Sequence, residues 1–134
     1  MTDVKLRSLT EKDWELLRAM RIRAAKLHPN LFYDTEKTAT ERPVAHWQSL
    51  LAGKNNRFWG LFDGNKCVGT TGTTAVTSDP TGQTGMIGYN FIEAEYRGHK
   101  YSDLFFEVGL THALECKEWK MYITDHRDGN AVKS

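Results

Sequence analysis

The sequence predicts a single α+β domain whose elements follow the order β-α-α-β-β-β-α-β. Three observations carry that prediction. The N-terminal stretch alternates apolar and polar residues and runs into a helix-opening motif. The middle of the chain is a row of strand-like runs separated by turn chemistry, and the last third holds a strand, a tight basic turn and an apolar helix. A chain of 134 residues is long enough for one core and too short for two.

Taken in order, Val4 to Leu9 (VKLRSL) alternates as a half-buried strand does, with Val4, Leu6 and Leu9 inward. Thr10 and Asp13, three residues apart, form a capping box. It opens a helix with Trp14, Leu17, Met20, Ala24 and Leu27 on its apolar face, ending near His28-Pro29. Residues 30 to 40 keep no clear period and read as a loop. Pro43, a favourable first-turn residue, starts a second helix through Val44, Trp47, Leu50 and Leu51 that ends at Gly53.

Arg57 to Phe62 and Cys67 to Thr77 then flank Asp63-Gly64-Asn65-Lys66, and an Asp-Gly pair between strand-like runs signals a hairpin. The Gly69-Thr70-Thr71-Gly72-Thr73-Thr74 run reads as ordinary strand within that hairpin, its glycines permitting close backbone approach. Ser78 to Gln83 is a second turn, leading into a strand from about Thr84 to Ile92. A helix spans about Ser102 to Lys117, with Leu104, Phe105, Val108, Leu110, Ala113 and Leu114 on broad apolar faces, and Met121 to Thr124 is a last strand. Trp14, Trp47, Trp59 and Trp119 read as packing residues.

Composition narrows the function classes. A formal net charge of +1, from 18 basic and 17 acidic residues, argues against a nucleic-acid or membrane-surface binder, so any basic site must be local. No apolar run approaches the roughly 20 residues of a membrane span, and the N-terminus lacks a signal peptide's apolar stretch; the expectation is a cytoplasmic protein. Cys67 and Cys116 lack C-x-x-C spacing and read as reduced core thiols. The five histidines show no metal-ligating spacing, so no metal site is expected.

The most informative stretch is Tyr89 to Phe106, a strand followed by a basic turn and the first turn of a helix. The first amides of a helix have no intrahelical partner and carry the positive end of its dipole. A turn of Arg97, Gly98, His99, Lys100, Tyr101 and Ser102 feeding that end suits a pyrophosphate. These residues resemble motif A of the GNAT superfamily of N-acetyltransferases, Q/R-x-x-G-x-G/A, which cradles the coenzyme A pyrophosphate. Arg97 occupies the Q/R place, Lys100 that of the first Gly and Ser102 that of the Gly/Ala. Lys100 in place of Gly either adds charge to the site or crowds it. The element order is also that of the GNAT fold from its first strand through its fifth.

The resemblance implies an acetyl-CoA-dependent N-acetyltransferase acting on a primary amine of a small molecule or peptide. Backbone groups of about Asn90, Phe91 and Ile92 would hold the pantetheine and the acyl oxygen, in the gap where the fourth strand splays from the fifth. Glu93 and Asp125 are the base candidates, directly or through water, with Tyr89 as a polar orienter; Tyr122 and Tyr101 are off the family's acid position, so the acid is unassigned. Asn130 matches an Asn at the start of the family's next helix, on the cofactor side. The chain ends before that helix and the family's strands six and seven, which leaves the Met121 to Asp125 edge uncovered and implies either self-association, as a homodimer through that edge, or a segment near Ser134 that is disordered or folded differently from the family's. A catalytically silent coenzyme A binding or interaction module is the alternative.

Overall fold

The computed structural model describes residues 4–28, 35–98 and 100–124. Five strands form one sheet in the order β1 (Val4–Leu9), β2 (Arg57–Asp63), β3 (Lys66–Ala75), β4 (Thr84–Ile92) and β5 (Met121–Thr124). The first four are antiparallel neighbours, and β5 joins β4 in parallel. The helices are α1 (Trp14–Leu27), α2 (Glu36–Glu41), α3 (Val44–Ala52) and α4 (Tyr101–Glu115). The α+β class and the order of elements along the chain agree with the expectation, with one short helix added.

The capping box at the start of α1 forms, with the Thr10 amide donating to Asp13 Oδ2 at 2.8 Å, but it closes a 3-10 turn over Glu11–Asp13 and the α-helix proper begins at Trp14. Its buried face is Leu17, Met20, Arg21, Ala24 and Ala25; Leu27, expected inward, is exposed. The stripe is rotated so that an arginine lies on the core side. The loop expected over 30 to 40 is helical at α2. There the Thr35 hydroxyl accepts from the Thr38 amide at 3.1 Å and the Thr38 hydroxyl accepts from the Thr35 amide at 2.8 Å, and Ala39 is fully buried. Residues 30–34 lie outside the described residues.

The sheet is covered on both faces. On one, Leu9, Leu17, Ala39, Trp47 and Phe58 form a core between the sheet, α1, α2 and α3, continued by Met20, Ala24 and Phe91. On the other, α4 lays Phe105 on Leu61 and Val68, and Ala113 on Ile87 and Trp119. Burying such side chains contributes about 1.5–3 kcal/mol each. The seam of α4 is narrower than the expected faces. Phe105, Gly109 and Ala113, four residues apart, are buried, whereas Leu104, Val108 and Leu110 are half-buried and Leu114 is 65% exposed. Gly109 sets this geometry: a Cβ there would lie 2.8 Å from Ile87 Cγ2 and 2.9 Å from Thr73 Oγ1, so a bare Cα lets the helix axis approach the strands.

Candidate functional site

The site is built where β4 changes course. β5 pairs with β4 only from Thr84 to Ile87, so the rest of β4 has no partner on that side among the described residues. On its other side β4 pairs with β3 through Gly88↔Gly72 and Phe91↔Thr70, which sets Tyr89 and Asn90 opposite the single residue Thr71. This is a β-bulge, and bulges re-aim side chains next to functional sites. Tyr89 carries its strain, with φ of 61°, a left-handed value uncommon for a non-glycine residue. The Thr71 hydroxyl donates to Asn90 Oδ1, fixing the bulge from below.

Tyr89, expected as a polar orienter, is held on the α1 face of the sheet. Arg21 Nη1 donates to its carbonyl at 3.0 Å, the guanidinium lies 5.2 Å from the Tyr89 ring centroid, and Phe58 packs edge-on against the same ring at 5.2 Å. Two residues past Phe91, Glu93 is 8% exposed and meets the Arg23 guanidinium in a bidentate pair, Nη2 to Oε1 at 2.8 Å and Nε to Oε2. That hydrogen bond and charge raise the Arg23 pKa further above its ordinary value. A carboxylate with both oxygens engaged by a guanidinium ties α1 to the end of β4, and this is the geometry in which the structure places the base candidate Glu93.

After Glu93 a 3-10 turn, Ala94–Tyr96, leads into the basic segment. The Tyr96 hydroxyl donates to Asp63 Oδ2, which pushes its pKa up to about 12 and pins the turn to the end of β2. The Arg97 side chain folds back: Nε donates to the Ile92 carbonyl at 3.0 Å and Nη2 lies 2.8 Å from His28 Nε2. Its side chain braces the turn and its amide donates to the Ala94 carbonyl at 3.2 Å, so backbone donors for a ligand have to come from the residues after it. Gly98 and Lys100 both have positive φ, 82° and 67°, and Lys100, in the left-handed region, is the residue before the first turn of α4. The Gly-to-Lys exchange therefore concerns backbone handedness. Lys100 is exposed, so its side chain adds charge at the rim and does not crowd the turn. Tyr101 and Ser102 open α4 behind it. His99, Asp125 and Asn130 lie outside the described residues.

The structure adds a feature that sequence reading did not find. A cavity of about 390 Å³ opens on the α1–α3 face, lined by Arg21, Arg42, His46, Trp47, Met86 and Tyr89 among others. Tyr89 links it to the bulged end of β4. One sequence signal could have pointed here: Arg21, four residues from Leu17 and three from Ala24, is a charge on the apolar stripe of α1.

No family sequence model matches the chain, and no curated protein matches it in sequence. Solved structures do match. A GCN5-related N-acetyltransferase from Ralstonia eutropha JMP134 superposes with a TM-score of 0.71 at 13% identity, covering 97% of this chain and 88% of that one. A predicted acetyltransferase from Clostridium acetobutylicum, solved with acetyl-CoA, gives 0.68 at 19% identity over 90% and 79%. An aminoglycoside acetyltransferase from an uncultured soil metagenomic sample, solved with sisomicin, gives 0.66 at 16% identity over 97% and 83%. At such identities the likeness is one of fold. The chain has the fold of the GNAT N-acetyltransferases.

Proposed function

We propose that this chain binds acetyl-CoA and moves its acetyl group to a primary amine of a small molecule or peptide. The observation that carries the reading is the bulged end of β4, without a partner on its β5 side among the described residues, running through a turn with two positive-φ residues into the start of α4. The residues fit the cofactor: the turn is exposed, and around Gly98 even an added Cβ would meet nothing within 4 Å, so a bulky diphosphate has room. Its pyrophosphate would be held by the backbone of residues 98–102, with Gly98, His99, Lys100, Tyr101 and Ser102 contributing amides, Arg97 and Lys100 positive charge, and Asn130 a further cofactor contact. Bound acetyl-CoA would supply an acyl thioester.

The chain's own part is positioning and proton handling. Backbone donors of Asn90, Phe91 and Ile92 stabilise charge on the acyl oxygen, and the amine arrives from the cavity beside Tyr89. The amine must lose a proton before it attacks. We assign that proton to Asp125, directly or through water, and give Glu93 the anchoring role that its pairing with Arg23 supports. Two copies are further proposed to associate through β5, whose Met121, Tyr122 and Ile123 are exposed.

Release of free thiol from acetyl-CoA over a panel of primary amines, beside calorimetry with coenzyme A, tests the reading. Micromolar binding with amine-dependent thiol release is expected, and Glu93→Gln is expected to melt lower while keeping turnover within a few fold. Binding without turnover would instead favour the silent coenzyme A module, and absence of binding would overturn both. Among the described residues no helix is long and apolar enough to cross a membrane.

A further inference from the structure

We infer that the side-chain amide of Asn90 is a donor to the pantetheine arm of acetyl-CoA, holding an amide carbonyl of that arm where it passes β4. This rests on the acetyl-transfer reading and adds a binding residue to the same site. Three observations carry it: the face on which Asn90 stands, the way its carboxamide is turned, and the strand edge beside it.

Thr73 faces α4, its hydroxyl lying where a Cβ on Gly109 would come within 2.9 Å. Two residues back along β3, Thr71 stands on the same face. Had pairing continued evenly from Gly88↔Gly72, Tyr89 would oppose Thr71 and Asn90 would oppose Thr70 on the α1 face. The extra residue of the bulge reverses this. Tyr89 packs on Phe58 at the α1 face, Phe91 joins Met20 and Ala24 there, and Asn90 between them reaches Thr71 on the α4 face. The left-handed backbone of Tyr89 is thus the strain that sets Asn90 on the side from which α4 starts.

The Thr71 hydroxyl is buried and has one proton, which goes to Asn90 Oδ1; the Gly88 carbonyl, at 3.4 Å, is the more distant acceptor. This holds the carboxamide oxygen on β3 and turns the NH2 group away, with no partner among the described residues. The buried side-chain nitrogens without a partner among those residues belong to Trp47 and Trp119, so the NH2 group of half-buried Asn90 is open to a ligand. Beside it the pairing of β4 with β5 has already stopped at Ile87. A cofactor with its diphosphate at the start of α4 and its acyl group facing the Tyr89 cavity threads this gap from the α4 face. Each amide carbonyl of its arm that leaves water needs a donor, and one already oriented loses little freedom in supplying it.

Calorimetric titration with coenzyme A and with 3′-phosphoadenosine 5′-diphosphate, the same nucleotide without the arm, tests the assignment. Asn90→Asp keeps the acceptor for Thr71 and puts an oxygen in place of the NH2 group. It is expected to weaken coenzyme A at least about tenfold and the nucleotide less than about twofold. Asn90→Ala should weaken coenzyme A about fivefold. Thr71→Val, which removes the orienting hydroxyl at nearly the same volume, should do so by a similar factor, again with the nucleotide unchanged; that unchanged affinity also shows that the variants are folded. Equal losses for the two ligands, or coenzyme A affinity within about twofold of wild type in Asn90→Asp, would overturn the inference and leave the cofactor reading standing. Absence of coenzyme A binding by the wild-type chain would overturn both together.

Discussion

Two neighbouring residues of the basic turn hold the same left-handed backbone with opposite side-chain chemistry, and exchanging them should move stability in opposite directions. Gly98 has φ of 82° and Lys100 φ of 67° with ψ of 16°. The left-handed conformation costs an L-residue roughly 1–2 kcal/mol. Glycine avoids that strain but loses about 0.5–1 kcal/mol more chain entropy on folding. Lys100→Gly should therefore stabilise by about 1 kcal/mol net, and Gly98→Ala should destabilise by about the same, since an added Cβ at Gly98 meets nothing within 4 Å and only the backbone term is left. For a domain of this size each kcal/mol shifts Tm by roughly 3–4 °C, so the two variants should melt about 6–8 °C apart on either side of wild type. Lys100→Ala keeps the Cβ and loses the charge, and should stay near wild type, within about 0.5 kcal/mol. Calorimetric melting reads all three. If Lys100→Gly and Gly98→Ala shift Tm in the same direction, or if Lys100→Ala reproduces the gain of Lys100→Gly, backbone handedness is not what the glycine of this motif supplies.

Three further outcomes are expected. Phe105, fully buried between Leu61 and Val68, should cost about 3–5 kcal/mol when changed to Ala, measured by denaturant unfolding; an unchanged midpoint would remove the α4 seam from the core. Tyr96, raised from 10.0 to about 12 by Asp63, keeps its proton more tightly in the fold than in the unfolded chain. Its contribution is thus intact below pH 10 and is lost as the pH climbs from 10 to 12, so Tyr96→Phe should melt lower at pH 8 and show a shallower alkaline decline than wild type; parallel declines would contradict the assignment. Ile123→Lys on β5 should lower any concentration-dependent association seen by light scattering, and association unaffected by this charge would place the contact elsewhere.

Much of the fold was legible because its signals are local. The Asp63-Gly64 pair marks the β2–β3 hairpin, where Gly64 indeed has φ of 61°, and the bounds of β1, β4 and α3 follow from alternation, from the Ser78 to Gln83 turn and from Pro43 and Gly53 respectively. The missed helix α2 had a signal as well, the Thr35 and Thr38 pair three residues apart, masked by the lack of an apolar period. Leu27 and Leu114 were read inward because a broad helical stripe does not fix the rotation of a helix. That rotation is decided by tertiary contacts such as Gly109 against Ile87.

The site was legible in its turn and not in its cavity. Arg97 to Ser102 are contiguous, and a helix start has a readable chemistry. By contrast Arg23 and Glu93 are 70 residues apart in sequence, and Arg21 and Tyr89 are 68 apart. No local pattern announces that either pair meets, and Tyr89 enters the left-handed region without a Gly at its own position to mark it.

The central claim is that acetyl-CoA lies along the bulged strand with its diphosphate on the turn before α4. A crystal structure of the chain with acetyl-CoA tests it most directly. The expected result is a pyrophosphate within hydrogen-bond distance of the amides of residues 98 to 102 and the acyl group beside Asn90 to Ile92, facing the cavity at Tyr89. Density for the cofactor at another place, with the turn unoccupied, would contradict it.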